Sequence, residues 1–277
     1  MNIAELSGFI FAGACLAGFV GSITGLGGGV VLVPLLALGF GIDIRYAIGA
    51  SLVSVIATSS GAAVAYVREG YSNIRAGMFL EVATVLGGTL GAFLTTRVST
   101  GKIAIVFGFV LLFSLIPFRT SDSAQTDAPG DPLARRLRFN SSYPTAAGPQ
   151  EYTVRRVPLG FTLMGIAGTL SGLLGIGSGA VKVLAMDRAM GFPFKVSTTT
   201  SNFMIGVTAA ASAGIYLNRG YIDPGLAMPT MLGVLLGALL GTRVLVGART
   251  RVLRWIFDLV ILALGLEMIY NGFMGKL

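Results

Sequence analysis

No histidine occurs among the 277 residues, and Cys15 is the one cysteine. The first absence removes the commonest metal ligand and the usual proton shuttle near neutral pH. The second excludes a disulfide within the chain and a multi-cysteine metal site. Charge is scarce too: there are 12 acidic residues, and charged residues make up 12% of the chain. Without His, and without a paired Asp motif, no nucleophile–base set can be assembled, so an enzyme is not expected. GLGGGV at 25–30 lacks the last glycine of a dinucleotide fingerprint, and no lysine follows it as in a phosphate-binding loop. These gaps argue against ATP-driven pumping by this chain and against any cofactor.

What is present is hydrocarbon. Apolar residues account for 54% of the chain, and the mean hydropathy is +0.81. Several runs reach the ~18–20 residues that cross a ~30 Å bilayer core, so the expected class is an all-α polytopic membrane protein. Met1–Phe19 has no basic start and no cleavage pattern, and it reads as a mature membrane segment. The net charge of +8 would suggest nucleic acid in a soluble chain. Here the basic residues sit in loops, as topology signals, and no nucleic-acid partner is expected.

Apolar segments fall near 4–24, 28–41, 46–67, 74–96 and 102–119, and again near 158–174, 178–191, 196–217, 224–245 and 254–273. Between the two sets lies a polar stretch, 120–157, with four prolines and one expected short strand near Tyr152–Val157. The expected organisation is a first membrane repeat at 1–119, a linker at 120–157 and a second repeat at 158–277. A shift of 150 residues lays Gly18–Gly91 on Gly168–Gly241 without a gap. It pairs Gly25 with Gly175, Gly27 with Gly177, Gly29 with Gly179, Ser51 with Ser201, Thr58 with Thr208, and Tyr71 with Tyr221.

The glycines Gly25, Gly27, Gly28 and Gly29 crowd a stretch where a helix should be regular, and Gly175, Gly177 and Gly179 with Ser178 repeat the pattern. Each interior glycine costs a helix about 1 kcal/mol, so the clusters read as deliberate breaks. The glycines of Gly87-xxx-Gly91 and Gly233-xxx-Gly237-xxx-Gly241 instead have the spacing of close helix packing. If each break turns the chain back, as a re-entrant or short helix pair followed by three transmembrane helices, each half crosses an odd number of times. One face then carries fourteen Lys and Arg residues and the other only Arg45, Arg97, Lys102, Arg219 and Lys276, with Lys182 left in the membrane. That bias favours two inverted, pseudo-symmetric repeats, a cytoplasmic linker and both termini outside.

Broken backbone inside a membrane is tolerated where it is buried or lines a cavity, and the freed N–H groups opening the next half-helix suit an anion. Duplicated halves with matching broken segments point to the binding site of a secondary transporter. The expected substrate-binding residues are Gly25, Gly27, Gly28, Gly29, Ser51, Thr58, Gly175, Gly177, Ser178, Gly179, Lys182, Ser201 and Asn202. Lys182 would attract the anion, and the hydroxyls and the Asn202 amide would replace its hydration. Glu81 is the expected proton carrier or partner of Lys182.

The stretches "GLGGGVVLVPLL", "RYAIGASLVSVIATSS", "GIGSGAVKV" and "TTTSNFMIGVTAAAS" resemble the TauE/SafE family of sulfite and organosulfonate exporters. The resemblance spans both halves outside the linker. It implies a bacterial or archaeal inner-membrane transporter that exports sulfite, sulfoacetate or related sulfonates, driven by protons or the membrane potential. Two residues depart from the family pattern: Ser178, where glycine is expected, and Leu184, where proline is expected. A passive channel for a similar oxyanion is the alternative reading. The expected partners are a small anion, protons and the lipid bilayer, with a homodimer left open.

Overall fold

The computed structural model describes residues 3–24, 28–68, 71–115, 130–145, 148–245 and 250–276. They are mostly helical. The first half comprises α1 (Ile3–Thr24), α2 (Gly29–Pro34, extended by a π turn at Leu35–Gly39), α3 (Ile44–Arg68), α4 (Ile74–Thr95) and α5 (Thr100–Ser114). A small lobe follows, with α6 (Pro132–Arg136) and a hairpin of β1 (Ser141–Thr145) and β2 (Gly148–Tyr152). The second half comprises α7 (Val157–Leu174), α8 (Gly179–Leu184, with a π turn at Ala185–Ala189), α9 (Phe194–Asn218), α10 (Pro224–Leu245) and α11 (Thr250–Phe273). Shifted by 150 residues, the bounds of α2, its π turn, α3 and α4 fall on those of α8, its π turn, α9 and α10.

By length and composition, Ile74–Thr95, Val157–Leu174 and Pro224–Gly241 can each cross a membrane. Glu5–Gly21, Gly29–Gly39, Ile44–Ser60, Thr100–Ser114 and Leu259–Phe273 are shorter apolar helices.

Glycine contacts give the direction of each helix. On the α4–α7 seam, Gly87 lies against the Gly165 carbonyl, Gly91 against that of Thr169, and Gly172 against that of Gly88. Both sequences advance together, so the two helices are parallel. On the α1–α10 seam, Gly233 meets Phe11 and Gly237 meets Cys15, again in parallel. Missing side chains let these backbones approach closely, the small-residue packing that bilayers favour because lipid gives apolar side chains no reason to associate. Gly77 lies beside Thr200 and Gly88 beside Ser212, so α4 also runs parallel to α9. In contrast α3 and α9 are antiparallel. Gly49 near the start of α3 touches Tyr221 beyond the end of α9, and Thr199 near the start of α9 donates to the Tyr71 carbonyl beyond the end of α3.

Two three-helix groups result, α4–α7–α9 and α1–α3–α10, each mixing both halves of the chain and meeting along α3 and α9. Between α7 and α9 the chain doubles back: the Arg155 N–H, before α7, donates to the Met190 carbonyl, after the π turn, at 2.9 Å. In the first half Gly13 of α1 packs against Phe40, just past the other π turn.

The lobe departs from the expected strand near Tyr152–Val157. Only Tyr152 of that span is in a strand, which ends there, and the strand pairs with β1 in the register Ser141↔Tyr152. Asp131 anchors the lobe by accepting from the N–H groups of Leu133 and Val157, capping α6 and α7 at once. Asn73, the N-cap of α4, is the other anchor. Its Oδ1 accepts from Ala76, its Nδ2 donates to the Phe139 carbonyl and to the Tyr152 hydroxyl, and its own N–H donates to Thr200 Oγ1. Burial pushes the Tyr152 phenol above its ordinary pKa.

The residue 150 positions later, Asp223, is exposed and caps only its own helix, α10. The expected result is therefore unequal. Asn73→Ala costs about 2–3 kcal/mol, because buried partners lose their bonds. In thermal unfolding of the purified protein that is a drop of about 5–10 °C, against about 2–4 °C for Asp223→Ala.

At the two ends of the antiparallel α3–α9 pair stand matching cation–tyrosine contacts. The Arg45 guanidinium lies 5.7 Å from the Tyr221 ring centre, and the Lys195 ammonium lies 4.1 Å from that of Tyr71. Position 45 shifted by 150 is 195, and 71 shifted likewise is 221. Arg75, Arg155, Arg156, Arg188 and Lys195 lie at the lobe end of the helices, and Arg45, Arg97, Lys102 and Arg219 at the other.

Candidate functional site

The break before α8 is built from left-handed backbone. Gly175 ends α7 at φ +68°, Gly177 has φ +71°, and Ser178 adopts φ +43°. The glycines take this at no steric cost, whereas a serine there is strained. Gly28 and Gly29 end the matching break before α2. Gly25 and Gly27 lie outside the described residues.

The two breaks touch. A Cβ on Gly29 would sit 3.0 Å from the Gly175 carbonyl oxygen and 2.8 Å from Ser51 Oγ. Ser51, fully buried on α3, donates to that same Gly175 carbonyl at 2.8 Å. Ser201, its counterpart on α9, donates to the Gly179 carbonyl at 3.3 Å. Both hydroxyl protons are thus spent on the carbonyls of the second break, and these serines brace its shape. Gly177 and Gly179 lie under Ile205, and Gly28 under Val234. Ser178 is buried, and its Oγ has no hydrogen-bond partner among the described residues. It faces a small cavity, otherwise almost entirely apolar, between Val30, Ile176, Val181 and the α5 residues Val110, Phe113 and Ser114.

Lys182 lies one turn into the arm that leaves the break, and it is 0% exposed. Its ammonium donates to Thr208 Oγ1 at 2.7 Å. That hydroxyl lies 2.7 Å from Glu81 Oε1 and 3.0 Å from the Met204 carbonyl of its own helix, and its proton goes to the nearer, charged acceptor, Glu81. Ammonium and carboxylate are therefore joined through one hydroxyl. Glu81 is 7% exposed, and its second oxygen, Oε2, has no partner among the described residues. Three elements supply the cluster: the parallel helices α4 and α9 give Glu81 and Thr208, and the arm that runs back after α7 gives Lys182. Buried charge is costly in a low-dielectric interior unless paired, and here the pairing is indirect and one oxygen short.

The expected residues thus fall into different places. Gly28, Gly29, Ser51, Gly175, Gly177, Ser178, Gly179 and Ser201 meet at the breaks. Lys182 and Glu81 form a relay beside them. Thr58 bonds back to the carbonyls of its own helix at Ser54 and Val55. Asn202 is half-buried, turned about 100° from Ser201 around α9. Sequence reasoning did not assign a role to Thr208. Its signals were there: a repeat match to Thr58, and a spacing of seven from Ser201 that puts both on one helix face. Among the described residues no group of His, Cys, Asp and Glu could hold a metal.

A profile of the family described as "Sulfite exporter TauE/SafE" matches residues 10–268. The chain is 28% identical over 267 residues to a probable membrane transporter protein, YunE, of Bacillus subtilis (strain 168), covering 93% of this chain and 95% of that one. It is 24% identical over 265 residues to the probable membrane transporter protein ORF9 of Sinorhizobium sp, covering 96% and 93%. A probable membrane transporter protein of Xylella fastidiosa (strain 9a5c) is 26% identical over 278 residues, with 98% of each chain covered. No solved structure matches.

Proposed function

The chain belongs to the TauE/SafE sulfite exporter family and is a membrane transporter, and from that premise we propose a secondary carrier of small sulfur-containing anions. Sulfite, sulfoacetate and related sulfonates are the substrate class, exported across a bacterial or archaeal inner membrane. The observation that carries the reading is Lys182: a fully buried cation one turn past a backbone break, with no carboxylate in direct contact among the described residues. A sulfite or sulfonate oxyanion is a fitting counter-charge for it. The Ser178 hydroxyl, without a partner among the described residues, is a further donor at the break.

Inverted repeats are supported by three features: the shared helix bounds at an offset of 150, the antiparallel α3 and α9, and the return of the chain after each break. In this arrangement the two helix groups rock about the α3–α9 contact and expose the breaks to each side in turn. The basic lobe end is the cytoplasmic one, by the bias of Lys and Arg. The Arg45–Tyr221 and Lys195–Tyr71 pairs sit where gates on the two faces belong.

The test is uptake into liposomes holding the purified protein, with labelled sulfite against sulfate, with and without a pH gradient. The expected result is sulfite flux that the gradient changes severalfold and that sulfate does not match. Flux set by the membrane potential alone and indifferent to pH would mean a passive channel. Absence of sulfite and sulfonate flux from folded protein would overturn the substrate class.

A further inference from the structure

The relay of Lys182, Thr208 and Glu81 occurs once in a scaffold written twice. Shifted by 150 residues, its positions become Leu32, Thr58 and Met231, two apolar residues and a threonine that bonds its own helix. The charged pair is therefore not demanded by the packing of the repeat, which manages without it on the other side. Nor is it an ordinary ion pair. One hydroxyl holds both charges, its oxygen accepting from the ammonium and its proton going to the carboxylate. Glu81 keeps a second oxygen, Oε2, buried beside it and without a partner among the described residues.

We infer that a proton on Glu81 and an anion on Lys182 bind together, one of each per chain, so that the protein moves the anion with a proton in the same direction. This rests on the carrier reading above. With Glu81 ionised, its charge neutralises Lys182 through Thr208, and the buried cluster carries no net charge. A second negative charge brought to Lys182 would then be left uncompensated in the interior. When a proton from the water on either side settles on the carboxylate, at Oε2, Glu81 becomes neutral and Lys182 loses its counter-charge. The anion takes that place. By linkage the effect is reciprocal: bound anion favours the proton, and bound proton favours the anion. With a monovalent anion both the loaded cluster and the empty one are neutral, so either can cross the conformational change without moving charge through the bilayer. Half-loaded clusters carry a net buried charge and are disfavoured, which ties the two fluxes together. Export under this scheme is the loss of an acid, driven by the anion and proton concentration gradients together.

Other ionisable groups on the packed elements lie away from the relay, near the helix ends. Arg75 opens α4, Arg155 and Arg156 precede α7, and Lys195 opens α9 over Tyr71. Asp187 and Arg188, within 3.7 Å of each other, lie in the π turn five and six residues past Lys182. The span of α7 itself contains no charged residue.

The experiment uses methanesulfonate, which stays ionised near neutral pH and so brings no proton of its own. Liposomes holding the full chain receive an inward gradient of the labelled anion while an internal dye reads pH. The expected result is acidification that tracks anion entry at one proton per anion, with a rate that an imposed potassium diffusion potential leaves unchanged. Glu81→Gln keeps the shape and removes the titration; its residual anion entry no longer acidifies the lumen and becomes sensitive to the potential. Labelled anion entering the wild-type liposomes without acidification would overturn the coupling and leave the carrier reading standing. Acidification that survives in Glu81→Gln would overturn the role of Glu81. No methanesulfonate entry at all would contradict sulfonate transport, and the coupling would fall with it.

Discussion

Lys182→Ala should reduce anion flux in liposomes by a hundredfold or more while the protein still reaches the membrane. The side chain is 0% exposed and is the partner that Glu81 reaches through Thr208. Removing it takes away the positive charge that draws the anion and leaves a buried carboxylate uncompensated, a change that costs about 3–5 kcal/mol in buried pairs. About 2.8 kcal/mol already corresponds to a factor of 100 in affinity. Loss of flux from a misfolded protein would look the same, so the informative companion is the double variant Lys182→Leu/Glu81→Met. It copies the residues that the other half carries at 32 and 231. Replacing a buried charged pair by apolar groups is often neutral or stabilising. The double variant is therefore expected to unfold at or above the wild-type temperature and still to carry no anion. Flux retained in either protein would remove Lys182 from the site.

Gly172→Ala should be nearly as damaging, for a reason unrelated to chemistry. In a free helix this exchange stabilises by about 1 kcal/mol. At position 172 the new Cβ would run into the Gly88 carbonyl of α4, on a seam where both backbones are in contact. The Gly172 carbonyl also accepts from the Tyr216 hydroxyl at 3.0 Å, which in turn lies 2.8 Å from Thr95 Oγ1. Pushing α7 off α4 breaks this three-helix junction and moves the break that begins at Gly175. Overpacking of this kind costs about 3 kcal/mol or more when backbone must shift. The expected result is an aggregated or sharply destabilised protein in size-exclusion chromatography and thermal unfolding. Gly214→Ala in α9 is the control: a Cβ there meets nothing within 4 Å. That variant should be as stable as the wild type or more so.

The features most legible from sequence were those that violate a local rule. Four glycines within five residues, a lysine in an apolar run and a glutamate in another each cost free energy that an ordinary helix would not accept, and so marked the breaks, Lys182 and Glu81. The turn-back of the chain after each break was expected from the division of Lys and Arg between the two faces. Which helices lie side by side did not follow, because a period of 3.6 gives a helix its faces but not its neighbours. Thr208 was therefore visible as a residue and invisible as a link. Ser51 and Ser201 were legible as candidate donors to an anion, but that their hydroxyls hold the Gly175 and Gly179 carbonyls was not, because tertiary geometry sets those bonds. The hairpin in the lobe was hidden for a different reason. Pro144 and Pro149 argue against strands, and the register places them opposite each other.

The central claim is that the breaks form an anion site reached from each side in turn. Its most direct test is the side-dependent reactivity of one thiol. In a Cys15→Ser background, Ser201→Cys places a single cysteine against Gly179, and a membrane-impermeant thiosulfonate reagent is applied from either side of sealed vesicles. The account predicts labelling from both sides, each slowed severalfold by the transported anion and shifted toward one side when a pH gradient is imposed. Labelling that the anion leaves unchanged, or that occurs from one side only under every gradient, would contradict it.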